Sequence, residues 1–311
     1  MKNISRVMGA LFLVLISSQS FSKSLDDDLA SLKPGRTVAS VEPADLTPSI
    51  HVNASGPSLF ELGIGLGGAF DPHYPGSDQS QVIVLPFPFG VYRGRILQSD
   101  RRGTRARLWT AKGFDVSLSG TGAFPVRSSD DDARRGMEDL GWMLQLGPKL
   151  RLGLKEWNDG AILRAGLSAR AAFSANEPSD ITARGYVFEP EIVYQKPDAF
   201  AERFDLFSAL SATFATSNYM DYLYGVRAGE VTPVRREYVS HGGYLESVLQ
   251  AGLSYRTLSG KHKFVFSTQI GSLAGATNED SPLVRTKLDL TVGIAWVWTL
   301  FESEEKAVIV D

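Results

Sequence analysis

Residues 288–300 alternate with a period of two: Leu288, Leu290, Val292, Ile294, Trp296, Trp298 and Leu300 are apolar, while Asp289, Thr291, Gly293, Ala295 and Thr299 are polar or small. Side chains alternate across a strand, so the segment has one apolar face and one polar face. In a soluble sandwich the apolar face would meet a second sheet. In a transmembrane barrel it would meet lipid, with Trp296 and Trp298 near the headgroups and Asp289 in the lumen. The pattern first appears at Phe60, Leu62, Ile64, Leu66 and Phe70, against Glu61, Gly63, Gly65, Gly67 and Ala69. Ile83, Leu85, Phe87, Phe89 and Val91 form the next apolar set. Pro86 and Pro88 fall on its opposite face and predict an edge, a bulge or a bend, because each removes a ladder donor. Two short strands are expected near 95–98 and 105–110.

Seven further segments repeat the alternation. Phe114, Val116, Leu118 and Phe124 oppose Asp115 and Ser117. Trp142, Leu144, Leu146, Leu150 and Leu152 oppose Gln145, Lys149 and Arg151. Leu163, Leu167 and Phe173 oppose Arg164, Ser168 and Arg170. Tyr186, Phe188, Ile192 and Tyr194 oppose Glu189 and Glu191, and Phe204, Leu206, Leu210 and Phe214 oppose Asp205 and Thr213. Leu245, Leu249, Leu253 and Tyr255 oppose Glu246, Gln250 and Arg256, and Phe264, Phe266 and Ile270 oppose Ser267 and Gln269.

Alternation alone would serve a sandwich equally well. The strands, however, are about ten residues or longer, where globular strands average about five or six. Their apolar faces are almost free of charge, and aromatics recur at strand ends. Connections also alternate in length, with long ones expected after Phe70, Phe124, Phe173, Thr216 and Ala274. These features predict an all-β, single antiparallel transmembrane β-barrel with long outer loops and short periplasmic turns. Both ends of the barrel on one side require an even strand number, so twelve strands are expected, with ten as the alternative.

The remaining segments set the context. Residues 1–22 have Lys2 and Arg6 before a short apolar run and Ser20, Phe21 and Ser22 at its end, the pattern of a secretory signal peptide. Its removal takes the net charge from −3 to −5. A mildly acidic exported chain is not a general nucleic-acid binder. Residues 23–57 are proline-punctuated and without periodicity, as expected of a flexible periplasmic arm. The barrel is expected over 58–301 and a tail over 302–311. Cysteine is absent, which excludes disulfides, thiolate metal sites and cysteine nucleophiles.

Catalytic and cofactor patterns are weak. Gly63, Gly65 and Gly68 match GxGxxG, but Pro72 and Pro75 stand where a helix would have to begin. Of the four histidines, His51, His73, His241 and His262, none has metal-ligand spacing, and Ser240 beside His241 would point away from it on an extended segment. Asp130, Asp131 and Asp132 lack calcium-loop spacing and are expected in a solvated outer loop. No catalytic, cofactor or metal residues are therefore assigned. The candidate lumen charges are Lys149, Arg151, Arg164, Arg170, Glu189, Glu191, Asp205, Glu246, Arg256 and Asp289. They either pair into an interior network or line a narrow polar path, and the Arg164/Arg170 face beside Glu189/Glu191 favours pairing.

Several separated motifs carry a resemblance. Pro72, His73, Tyr74, Pro75, Gly76 and Ser77 follow the glycine-rich first strand, and Leu85-Pro86-Phe87-Pro88 and Tyr92-Arg93-Gly94 come next. Tyr219 to Val226, including Tyr224 and Gly225, the stretch ending at Gly243, and Asp280, Ser281, Pro282, Leu283 and Val284 complete the set. In this order they resemble the MltA-interacting protein (MipA/OmpV) family of outer-membrane proteins over almost the whole mature chain. The resemblance implies a non-enzymatic outer-membrane barrel in contact with lipid. It also implies a scaffold role between a lytic transglycosylase and a murein synthase. A narrow pore for small solutes is the alternative, and a lipid-modifying barrel enzyme is a third reading. The chain departs from the family pattern in running past the aromatic Phe301.

Overall fold

The computed structural model describes residues 58–92, 97–100, 103–111, 114–177 and 179–305, with side chains described outside 91–113. The expected signal peptide and arm, and residues 306–311 of the tail, lie outside the described residues. Twelve strands form one antiparallel sheet: β1 (Phe60–Pro72), β2 (Ser80–Tyr92), β3 (Leu97–Asp100), β4 (Gly103–Ala111), β5 (Phe114–Ala123), β6 (Trp142–Glu156), β7 (Ile162–Ala175), β8 (Ile181–Lys196), β9 (Phe204–Ala215), β10 (Gly243–Arg256), β11 (His262–Ser272) and β12 (Leu288–Glu302). Among the described residues one α-helix, α1 (Ser217–Tyr224), lies in the loop between β9 and β10. No helix among the described residues is long and apolar enough to cross a membrane.

The order is β2-β1-β12-β11-β10-β9-β8-β7-β6-β5-β4-β3. Each hairpin from β3 onward pairs with its neighbour in sequence, and β1 pairs with β12 in the register Leu66 to Trp296 and Ile64 to Trp298. Pairing of first and last strands is what closes an up-and-down meander into a barrel. The seam lies between β2 and β3, consecutive in the chain, whose Cα atoms approach within 8 Å.

The apolar residues face outward. Leu62, Ile64, Leu66, Leu150, Leu152, Phe188, Ile192, Leu210, Leu249, Phe266, Leu290 and Ile294 are all exposed. No second sheet covers them, so the sandwich reading is excluded. Rings gather at both rims. Phe60 stacks on Phe301 at 5.3 Å and Phe204 on Tyr255 at 4.7 Å at the short-turn end. At the long-loop end Phe124 meets Trp142 at 5.5 Å and Phe214 meets Tyr244 at 5.6 Å.

Two expectations are corrected here. In β2 the outward residues are Val82 and Val84, with Pro86 exposed beyond them, whereas Ile83, Leu85, Phe87 and Phe89 turn inward. The cause lies in β1, whose lumen face is glycine. A Cβ at Gly65 would run into the Phe87 ring and one at Gly63 into Phe89, so the missing side chains leave room for two phenyl rings inside the wall. The prolines stand on a strand at one end of the sheet order, where lost ladder donors are tolerated. The connection expected to be long after Phe173 is only five residues, because β7 continues to Ala175 and β8 begins at Ile181.

Candidate functional site

The long-loop end is closed by a folded cap. The buried apolar residues cluster there: Tyr74, Val126, Leu140, Tyr219, Met220, Leu223, Tyr224, Val226, Leu273 and Leu283 pack together across four loops and α1. A barrel whose exterior is apolar has its dry core elsewhere, and here loop side chains supply it.

The motif residues hold this cap in place. Pro72 ends β1 and pairs with Ser80. The turn that follows needs Gly76, since its φ is +90° and a Cβ there would press on Leu273 and Val284 at 3.0 and 3.2 Å. Its N–H donates to Asp289 Oδ2 at 2.9 Å, which ties the cap to the barrel wall. Tyr74 donates to the Leu283 carbonyl at 2.9 Å, Tyr224 to the Pro75 carbonyl at 2.8 Å, and Ser281 to the Tyr224 carbonyl at 2.9 Å. Three loops distant in sequence are thereby cross-linked. Gly225 ends α1, its N–H donating to the Asp221 carbonyl at 2.9 Å. A side chain at Gly243 would collide with Thr277, and Pro282 is half-buried between Ser281 and Leu283. Burial drives the hydroxyls of Tyr74, Tyr219 and Tyr224 well above the usual tyrosine range, so they stay protonated donors.

Asp131 corrects another expectation, because it is fully buried rather than solvated. Its side chain accepts from Ser77 Oγ at 2.7 Å, His73 Nδ1 at 3.0 Å and the N–H groups of Ala133 and Arg134 at 3.0 and 3.2 Å. Arg134 lies 5.6 Å from the Tyr74 ring centroid and donates to the Leu223 carbonyl at 3.0 Å, and burial lowers its pKa. At the outer surface Tyr238 donates to Asp280 at 2.6 Å. That bond, helped by Arg236, holds the Asp280 carboxyl below the usual range, while burial first and Asp280 second push Tyr238 up to about 12.

Below the cap, charges pair along the lumen side of the wall formed by β5 to β8. Lys149 pairs with Glu191 at 2.6 Å, and Arg170 pairs with Glu189 at 2.8 Å. Arg170 also donates to Ser168 and Gln145, and Gln145 reaches the Tyr219 hydroxyl at 3.1 Å, so the network runs up into the cap. Arg151 lies 4.0 Å from Asp115, and Arg164 donates to Gln195 at 3.0 Å. Glu246 lies against Gly271 beside Asp289, and Asp71 accepts from Thr291 at 2.7 Å, giving an acidic wall on β1, β10 and β12 directly under the cap. Asp205 accepts from the Asp198 N–H at 3.4 Å, and the Arg256 N–H bonds the Arg203 carbonyl; both residues lie at the short-turn end. Sequence reasoning missed Asp131, which local charge patterning disguised, and Asp71, one residue past the last apolar position of β1.

No described group assembles a nucleophile with a base. Ser240 Oγ faces Asp221 at 3.4 Å, the backbone of His241 is held by Asn278, and His73 is engaged by Asp131. The described residues contain no cluster of three or more acidic, histidine or cysteine side chains arranged for a metal ion.

The family model described as MltA-interacting protein MipA matches residues 64–300. The chain belongs to this MipA family. Membership together with the apolar outer face supports an outer-membrane barrel. A comparison with curated proteins gives no match. Among solved structures, the chain is similar to the NanC porin at 12% identity, covering 76% of this chain and 100% of that one, with a TM-score of 0.35. It is also similar to the CymD monoaromatic hydrocarbon channel at 10% identity, over 82% and 93% of the two chains, TM-score 0.32. Pseudomonas putida OprB follows at 10%, 78% and 94%, TM-score 0.33. Similarities this distant carry nothing about what this MipA-family barrel does.

Proposed function

We propose that this chain is a capped outer-membrane barrel that anchors murein-remodelling enzymes, a lytic transglycosylase and a murein synthase, and that it is not a conduit. In this reading it is exported by its N-terminal signal peptide, with the long loops outside the cell. Residues 23–57 and the short turns then face the periplasm.

The observation that carries the reading is the cap. Tyr74, Gly76, Tyr219, Tyr224 and Ser281 are engaged in closing the long-loop end, and ion pairs line the wall beneath them. Those motifs are accounted for by closure. Partner recognition is then left to the short-turn end, which is where enzymes acting on murein would be met. The family description names an interaction with MltA, which supports a murein enzyme as the partner.

Two measurements test the proposal. Purified barrel in a planar bilayer is expected to give no discrete conductance steps, and steps at rest would replace the anchor with a narrow pore. A lytic transglycosylase is expected to co-purify from detergent extracts with the full chain and to be lost when 23–57 or the short turns are replaced. Capture that survives both replacements would sink the proposed orientation.

A further inference from the structure

Three rings meet on the outward face at the short-turn end. His262 opens β11 and is the register partner of Trp298 on β12, and Phe264, the next outward residue, is the partner of Trp296. The His262 ring centroid lies 5.9 Å from that of Trp296 and 5.8 Å from that of Trp298, and the two indoles lie 6.4 Å apart. The interplanar angles are 16° to 28°, so the rings present one continuous aromatic surface. Trp296 Nε1 donates to His262 Nδ1 at 3.3 Å, which makes that nitrogen the acceptor and leaves the imidazole proton on Nε2. Nε2 makes no hydrogen bond to another described residue.

The surroundings select the class of ligand. Trp298 is exposed, and the exposed Phe264, Phe266 and Ile294 continue the same face toward the middle of the strands. An apolar track that ends in rings suits an acyl chain below a headgroup. From 262 to 270 on β11 and from 288 to 300 on β12, no outward position carries a charged side chain. The neighbouring lysines are Lys261, in the turn, and Lys263, which alternates to the lumen side and lines the cavity there. An anionic headgroup therefore meets no outward cation on these two strands. An ammonium meets the negative faces of two indoles, the strongest aromatic partners for a cation. The phosphodiester of the same headgroup can accept from the His262 Nε2–H.

We infer that this cluster seats one phospholipid with a primary-amine headgroup. Its ammonium lies over Trp296 and Trp298, its phosphate takes the His262 Nε2–H, and one acyl chain runs along Phe264, Phe266 and Ile294. A cation partly withdrawn from water gains more from an aromatic face than a fully hydrated one, and the membrane interface provides that setting. The lipid is held beside the turn between β10 and β11. This inference does not depend on enzyme anchoring, so failure to capture a transglycosylase leaves it standing.

The test is native mass spectrometry of the detergent-purified full chain, equilibrated with equal amounts of dioleoyl phosphatidylethanolamine and dioleoyl phosphatidylglycerol. The parent is expected to retain the ethanolamine lipid in about threefold excess or more, the discrimination a partly desolvated cation–π contact provides. Trp298→Leu and Trp296→Leu should each bring the ratio to about one, by loss of the indole face. His262→Phe, which keeps a ring without the donor, should lose roughly half of the ethanolamine lipid that the parent retains. Trp142→Leu, which removes a tryptophan from the long-loop rim, should keep the parental ratio. Each variant is scored only if its heat-modifiable gel migration matches the parent, and the parent's own ratio decides where none folds. Equal retention of the two lipids by the parent, or an excess of the glycerol lipid, would overturn the inference. So would a preference that survives Trp298→Leu, full retention in His262→Phe, or an equal loss in Trp142→Leu.

Discussion

Replacing Asp131 with alanine should open the cap without opening the barrel. The side chain is fully buried and accepts from Ser77, His73 and the N–H groups of Ala133 and Arg134 at 2.7 to 3.2 Å. Alanine removes four bonds; Ser77 Oγ keeps the Gln79 carbonyl and the Arg134 N–H keeps the backbone carbonyl of residue 131, while His73 Nδ1 and the Ala133 N–H lose their acceptor. At about 1–1.5 kcal/mol for each bond lost, the sum is roughly 4–6 kcal/mol, an upper bound because neighbouring effects do not add. A shift of about 4 kcal/mol multiplies the open population by roughly a thousand. The barrel ladders do not include Asp131, so the loss belongs to a sub-global unit. Limited trypsin digestion reads it directly, because the exposed Arg127, Arg135, Arg227 and Arg236 all lie in the cap loops. Faster cleavage there is expected, with heat-modifiable migration of the barrel unchanged. Cleavage at the parental rate would refute the hub role of Asp131. Loss of cap and barrel together would refute their separation.

Three other perturbations probe different levels of the structure. Ile294→Arg puts a charge on an outward position, 63% exposed, in the middle of β12, and should cost about 2–4 kcal/mol in urea unfolding from liposomes. Stability equal to the parent would mean that lipid does not cover that face. Gly65→Leu drives a side chain into the Phe87 ring and should destabilise by about 1–3 kcal/mol. Phe87→Ala in the same chain should recover most of that loss, whereas additive losses would show that the two residues do not compete for one space. The depressed Asp280 carboxyl gives the cap an acid sensitivity. A folded pKa below the unfolded one contributes stability above the unfolded value, lost as pH falls through the folded value. Protease sensitivity of the 225–242 loop should therefore rise below about pH 4, where free aspartate titrates. Asp280→Asn should remove that pH dependence, and a variant as acid-sensitive as the parent would assign it elsewhere.

The legibility of the chain follows the range of the forces involved. Alternation is local, so β6 to β12 could be placed from residue spacing, and the exposed Leu290, Ile294 and Leu300 lie on the face that spacing predicts. β2 defeated the same rule. Its apolar set faces inward because β1, a separate segment, presents Gly63 and Gly65 there, and nothing within β2 reports its neighbour's missing side chains. Asp131 sits among acidic neighbours that look like a solvated run, but its partners Ser77 and His73 are more than fifty residues away. The motif residues were visible as residues, and what they do was not. Tyr224 finds Pro75 across 149 positions and Tyr74 finds Leu283 across 209, separations no local pattern can encode.

The sequence by itself determined that the strands are long and two-faced, because a period of two fixes which side chains share a face wherever the strand lies. Only the tertiary structure decided that the long-loop end is shut. Closure depends on loops that carry no period, and their tyrosines, glycines and single buried carboxyl acquire partners once the barrel brings the loop ends together.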